Sequence, residues 1–207
     1  MNVQKIHINK FPVVLISDSH TNLSNIRKLK ELYPDNKIFS LGDICFLFSK
    51  PGERFNEYSI QYFIDNKIPT LASNHDVFVG WEDPDNTRYE LPPHQIDYLR
   101  NLPYGFKIVL PYGKYYLLYH HAPKDLWGRN EKGSLTGDKL KEIYKFDDNC
   151  LGIIHGHLHQ NFIEEFPNFK TKRISLGQLC GSNHHTGENN GNNYLLLTEK
   201  GLEYKKI

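Results

Sequence analysis

The chain has 207 residues, 39% hydrophobic and 13% aromatic, enough apolar side chain for a core within one domain spanning 1–207 and too much for a disordered chain. Its formal net charge is +1, so bulk electrostatics indicate neither nucleic-acid binding nor attraction to a membrane surface. Cys45, Cys150 and Cys180 are odd in number and lack CxxC spacing, which speaks against a disulfide framework or thiolate zinc site and for a reducing, cytoplasmic setting.

The apolar run 13–17 reads as a strand buried on both faces, and it is too short for a signal segment or a membrane span. Leu23, Ile26, Leu29 and Tyr33 then repeat at helical spacing, with Asn22 placed to cap and Pro34 to stop. Residues 37–41 predict a second strand, and 54–65 a second helix with Phe55, Tyr58, Tyr62 and Phe63 facing the core. Residues 68–72 predict a third strand. This start implies a parallel sheet flanked by helices, in which ligands gather at the carboxyl ends of the strands.

Residues 81–91 are polar and proline-containing, as in a loop over a site, and 93–102 suggest a short helix. Strands at 106–110 and 115–119 flank Pro111-Tyr112-Gly113-Lys114 and predict a hairpin. A helix at 136–146 follows, then strands at 151–154, 162–166, 172–175, 194–197 and 202–204. These hairpin-like connections favour an α/β class with a mixed β-sandwich of two sheets flanked by helices, in four layers αββα. Residues 182–193, rich in Asn and Gly, read as a mobile surface loop.

Short polar knots end the strand-like runs. They are Asp18-Ser19-His20, Gly42-Asp43, Asn74-His75-Asp76, His120-His121-Ala122 and Gly156-His157-Leu158-His159. By composition Asp-x-His occurs by chance roughly 0.6 times, but Gly-His-x-His only about 0.04 times and Asn-His-Asp about 0.06 times, so the last two carry the specificity. Carboxylate with imidazole suits manganese, iron, zinc or nickel, whereas an all-oxygen set suits magnesium or calcium. A two-ion centre needs a bridging carboxylate, and Asp43, alone in its knot, suits that role.

The ordered set resembles the calcineurin-like metallophosphoesterases from Asp18 to His159. That resemblance implies two divalent ions, manganese favoured: Asp18, His20 and His159 on the first, Asn74, His121 and His157 on the second, Asp43 between them. It implies that His75 faces the phosphate and that Asp76 orients its ring, while His120 packs beside the site. The activity implied is hydrolysis of a phosphate-ester substrate by in-line attack of a bridging hydroxide, a phosphodiester being favoured over a phosphomonoester. A phosphoprotein phosphatase of the same fold and a non-catalytic metal-binding scaffold are the alternatives.

Some positions depart from the family pattern. Ser73 replaces the usual glycine before Asn74, and Thr21 stands where Gly or Ser is common. Cys45-Phe46-Leu47-Phe48 occupies the place where phosphoprotein phosphatases carry Asp-Arg, which points to small bacterial-type phosphodiesterases. Phe46, Phe48, Phe78 and Trp81 flank the expected site, as packing residues or as a stacking surface for a nucleobase or aryl group. Lys124 and Arg129 are candidates to meet phosphate oxygens or solvent. His155 reads as a satisfied core histidine, and His184 and His185 as a surface pair.

Overall fold

The computed structural model describes residues 2–50, 52–81, 88–123, 136–180 and 191–207. The elements run β1 (Val3–His7), β2 (Val13–Ile16), α1 (Leu23–Leu32), β3 (Ile38–Ser40), α2 (Phe55–Asp65), α3 (Asn74–Trp81) and α4 (Pro93–Arg100). The second half follows as β4 (Gly105–Val109), β5 (Tyr115–Tyr119), α5 (Gly137–Tyr144), β6 (Cys150–His155), β7 (Asn161–Glu164), β8 (Lys172–Leu176), β9 (Asn193–Thr198) and β10 (Gly201–Lys206). They form a six-stranded sheet, β1-β4-β5-β6-β8-β7, and a four-stranded sheet, β10-β9-β2-β3.

Strand alternation sorts the side chains into three cores. Val13 and Leu15 of β2, Tyr116 and Leu118 of β5, and Leu195 and Leu197 of β9 meet between the two sheets. Their neighbours Val14, Ile16 and Leu196 turn outward against Ile26 and Leu29 of α1, Ile60 and Phe63 of α2 and Leu99 of α4. Tyr115, Leu117 and Tyr119 of β5 face Leu140 and Tyr144 of α5 on the far side. The result is the expected four-layer αββα sandwich, and it explains why β2 is apolar at every position: both of its faces are buried.

Several expectations shift. β1 escapes sequence detection because it is an edge strand with only Ile6 half-buried, paired in parallel with β4. The strand expected at 68–72 shrinks to one bridge, Ser40 with Thr70, beside Pro69, which has no N–H to give a ladder. α2 is rotated from its expected face: Phe55 and Tyr58 are 55% and 54% exposed, while Asn56 and Ser59 are buried with Ile60 and Phe63. Backbone satisfaction decides this. Asn56 grips the main chain of Phe46, and Ser59 Oγ donates to Ile44 O at 2.9 Å, so polar residues take the inward face to serve the loop after β3.

Asn22 precedes α1 but makes no side-chain cap; Ser24 Oγ donates to its Oδ1 at 2.7 Å instead. α3 begins directly at the Asn74 knot, where no helix is expected from the sequence. All three cysteines are free and buried. No helix among the described residues is long and apolar enough to cross a membrane. Of the expected loop at 182–193, residues 182–190 lie outside the described residues, as do His184, His185, Lys124 and Arg129.

Candidate metal centre

The knots converge at the carboxyl ends of the strands. Asp18 and His20 follow β2, Asp43 follows β3, His120 follows β5 and His157 and His159 follow β6, while Asn74 opens α3. Asp18, His20, Asp43, His157 and His159 all have left-handed backbones, with φ between 41° and 67°. Main-chain bonds hold these turns: Asp18 N–H donates to Gly42 O at 3.0 Å, His20 N–H to Asp43 O at 2.9 Å, and His157 N–H to Asp18 Oδ2 at 3.1 Å.

Two clusters share one carboxylate. Asp18, His20, Asp43 and His159 each offer a ligand atom within 4.8 Å of the others, and Asp43, His120 and His157 do the same. In the first, His20 Nε2 and His159 Nε2 face each other at 3.2 Å, and His159 Nε2 lies 3.2 Å from Asp18 Oδ1. In the second, His120 Nε2 lies 3.4 Å from Asp43 Oδ1 and 3.1 Å from Asn74 Oδ1, which is also 3.2 Å from His157 Nδ1.

The tautomers are set from behind. A carbonyl only accepts, so His20 places its proton on Nδ1 toward Cys45 O at 3.2 Å, and His120 places its own toward Leu41 O at 2.9 Å. Both rings therefore turn their Nε2 lone pairs inward, at carboxylate and amide oxygens or at another imidazole. Such acceptors crowded together in a buried site repel unless a proton or a metal cation lies between them. Spacings of 3.1 to 3.4 Å suit neighbouring ligands on one ion held by bonds of about 2.1 Å. The residues thus fit two divalent ions.

The ionisation pattern agrees. Burial opposes charge on Asp43, yet His120 and His75 hold its carboxyl well below the usual range. Burial likewise opposes charge on Asp18, but His120 and His159 bring it to about 2. Burial depresses His20 to about 4. For His120 burial is outweighed by Asp43 and Asp18, which raise it to about 9.

The profile of the calcineurin-like phosphoesterases matches residues 11–161, a span that takes in every residue of the two clusters. The chain belongs to the calcineurin-like phosphoesterase family. Its fold is shared with a metallophosphoesterase from Sphaerobacter thermophilus (TM-score 0.65, 16% identity, covering 96% of this chain and 89% of that one). It is shared as well with an archaeal phosphodiesterase (0.52, 18%, 95% and 99%) and with a serine/threonine phosphatase from Saccharomyces cerevisiae (0.57, 12%, 99% and 83%). No curated protein matches the chain.

Within this calcineurin-like site, two residues sit differently from the sequence expectation. The histidine beside Asn74 and Asp43 is His120, whereas the sequence points to His121. Along β5, Tyr116 and Leu118 face inward and Tyr115, Leu117 and Tyr119 outward; His120 continues the inward row. His121 is buried next to it with its Nδ1 turned to Ala122 O at 3.1 Å, its Nε2 buried without a hydrogen-bond partner and its ring centroid 6.3 Å from that of His157; burial, then His120, lowers it to about 4. The second is Asp76, whose carboxylate bonds elsewhere than to the ring of His75: neighbours in a helix point about 100° apart. Its Oδ1 accepts from Cys45 N–H at 3.0 Å and its Oδ2 from Ser73 Oγ at 2.7 Å.

Ser73 is the residue that sequence reasoning underrates. Its hydroxyl accepts from Asp43 N–H at 2.9 Å and from Asp76 N–H at 3.2 Å, tying the Asp43 backbone to the start of α3. The signal was present: Ser73-x-x-Asp76 is a capping-box pattern, which also announces the missed helix. Removing Asp76 orphans the Cys45 N–H and the Ser73 hydroxyl, both buried. Asp76→Ala is expected to lower stability by about 1–3 kcal/mol in denaturant titration, with metal affinity falling as Asp43 loosens. Unchanged stability would mean that the Ser73 network holds without its carboxylate.

His155 is a satisfied core histidine as expected. Its Nδ1 donates to Gly156 O at 3.1 Å and its Nε2 accepts from Arg173 Nε at 3.2 Å. Gly156 itself has no room for a side chain: a Cβ there would lie 1.9 Å from Ser17 Oγ and 2.7 Å from Asp18 Oδ2.

Proposed function

We propose that this protein is a dinuclear metal-dependent phosphoesterase. Asp18, His20, Asp43 and His159 would hold one divalent ion and Asp43, Asn74, His120 and His157 the other, with manganese favoured. The shared carboxylate of Asp43, common to both clusters, carries the reading. When bound, the ions would lower the pKa of water and offset charge on the phosphate oxygens.

The chain's own contribution is positional and protonic. His75 lies at the mouth of the site, its ring centroid 4.7 Å from that of His20 and its Nε2 4.0 Å from Asp43 Oδ2. Its side chain keeps 13% exposure, so it reaches both the site and the substrate side. His75 would give a proton to the departing oxygen, and Asn74 would fix the second ion and the entry to α3. A phosphodiester is favoured over a monoester, because Cys45-Phe46-Leu47-Phe48 puts apolar side chains where an Asp-Arg pair would grip a dianionic phosphate. The likeness to an archaeal phosphodiesterase supports the same direction. The free, buried thiols support a reducing cytoplasmic setting.

Metal analysis with a panel of chromogenic mono- and diesters, run with manganese, iron, zinc and nickel, tests this reading. Two ions per chain and turnover of a diester are expected; absence of either sinks it. His75→Ala should keep both ions and lose activity by about 10²–10⁴-fold, most severely on poor leaving groups. Loss of metal from that variant would instead make His75 a ligand.

A further inference from the structure

We propose that Phe46 and Phe48 form a ledge at the mouth of the metal centre that binds a flat aromatic ring attached to the ester phosphate. The ring would be an aryl group or a nucleobase, and the inference rests on the phosphoester reading of the site.

The loop after Asp43 is held along its backbone. Cys45 donates its N–H to Asp76 Oδ1 at 3.0 Å and accepts from His20 at its carbonyl. Phe46 is gripped on both sides by the buried Asn56: its N–H donates to Asn56 Oδ1 at 2.7 Å and its carbonyl accepts from Nδ2 at 3.1 Å. Leu47 O accepts from Tyr89 Oη at 3.0 Å and from Arg88 at 2.6 Å, and Ser49 Oγ donates to Phe46 O at 3.2 Å.

Exposure on so fixed a loop is therefore not slack in the chain. Phe48 is 62% exposed. Its ring meets Phe46 edge-on, with centroids 5.5 Å apart, and Phe46 in turn stands edge-on to the ligand His20 at 6.3 Å. A row of rings thus leads from a metal ligand out to solvent and ends on an uncovered aromatic surface. A substrate that places its phosphate at the ions and carries a ring can cover it, exchanging two wetted apolar faces for one stacked contact.

The test is direct binding to the metal-loaded protein by titration calorimetry, with two matched pairs of anions: phenyl phosphate against methyl phosphate, and adenosine 5′-monophosphate against ribose 5-phosphate. At least one ring-bearing anion is expected to bind roughly tenfold more tightly than its ringless partner. In Phe48→Ala, and in Phe48→Leu, which keeps apolar bulk without a ring face, that ratio should fall to about twofold while metal content stays at the wild-type value. A gain confined to the phenyl pair assigns the ledge to a ring on the ester oxygen; a gain confined to the nucleotide pair assigns it to a base. Equal affinities within both pairs, or a ratio unchanged in Phe48→Ala, would overturn the ledge and leave the phosphoester site standing. If none of the four anions binds, the ledge and that reading fall together.

Discussion

Replacing His120 by alanine is expected to leave the protein with one ion per chain rather than two. Activity should fall more than about 100-fold, beyond what loss of a supporting contact around a metal ligand costs. The reason is geometric: His120 Nε2 is the imidazole nitrogen close to both Asp43 Oδ1 and Asn74 Oδ1, and its ring is aimed by the bond to Leu41 O. His121→Ala, one residue away, should keep two ions and lose less than about tenfold. Metal content by plasma emission, paired with initial rates on one diester, separates the two variants. The reverse pattern would restore His121 as the ligand.

Asp43→Asn should have a larger effect, because it strikes both clusters at once. An amide offers one oxygen and no charge, so it cannot draw two cations together. Affinity for both ions is expected to fall more than about 100-fold, and activity at least about a thousandfold. A second readout is thermal. Ions that bind only the folded chain raise its melting temperature with their concentration, and this rise should be lost in the variant. Retention of two ions by Asp43→Asn would remove the bridging role on which the proposed chemistry depends.

The convergence of the polar knots was legible because they close apolar runs, and a strand end in a parallel arrangement is where side chains can converge. The layered fold was legible for a similar reason: β2 is apolar on both faces, and the later strands turn back as hairpins. Parity was not. The run Tyr115 to Tyr119 is apolar throughout, so no alternation says which face looks inward, and His120 and His121 cannot be told apart until β5 is paired. The face of α2 was hidden because Asn56 and Ser59 are buried to satisfy loop backbone, a demand that hydrophobic periodicity does not register. β1 was hidden because an edge strand buries too little to show a pattern. Ser73 looked like a minor departure, since the bonds that give it a role cross to Asp43, thirty positions away in sequence.

The left-handed turns at Asp18, His20, Asp43, His157 and His159 have a consequence for how this protein can change. Outside glycine, and to a lesser degree asparagine and aspartate, each such residue costs of order 1–3 kcal/mol, so the histidines at these turns weaken the fold that carries them. Glycine or asparagine at an outer position such as His159 would relax the backbone and give up a ligand in the same step. Selection for a sturdier chain, in the laboratory or in a lineage that no longer needs the reaction, therefore pulls toward dismantling the site first.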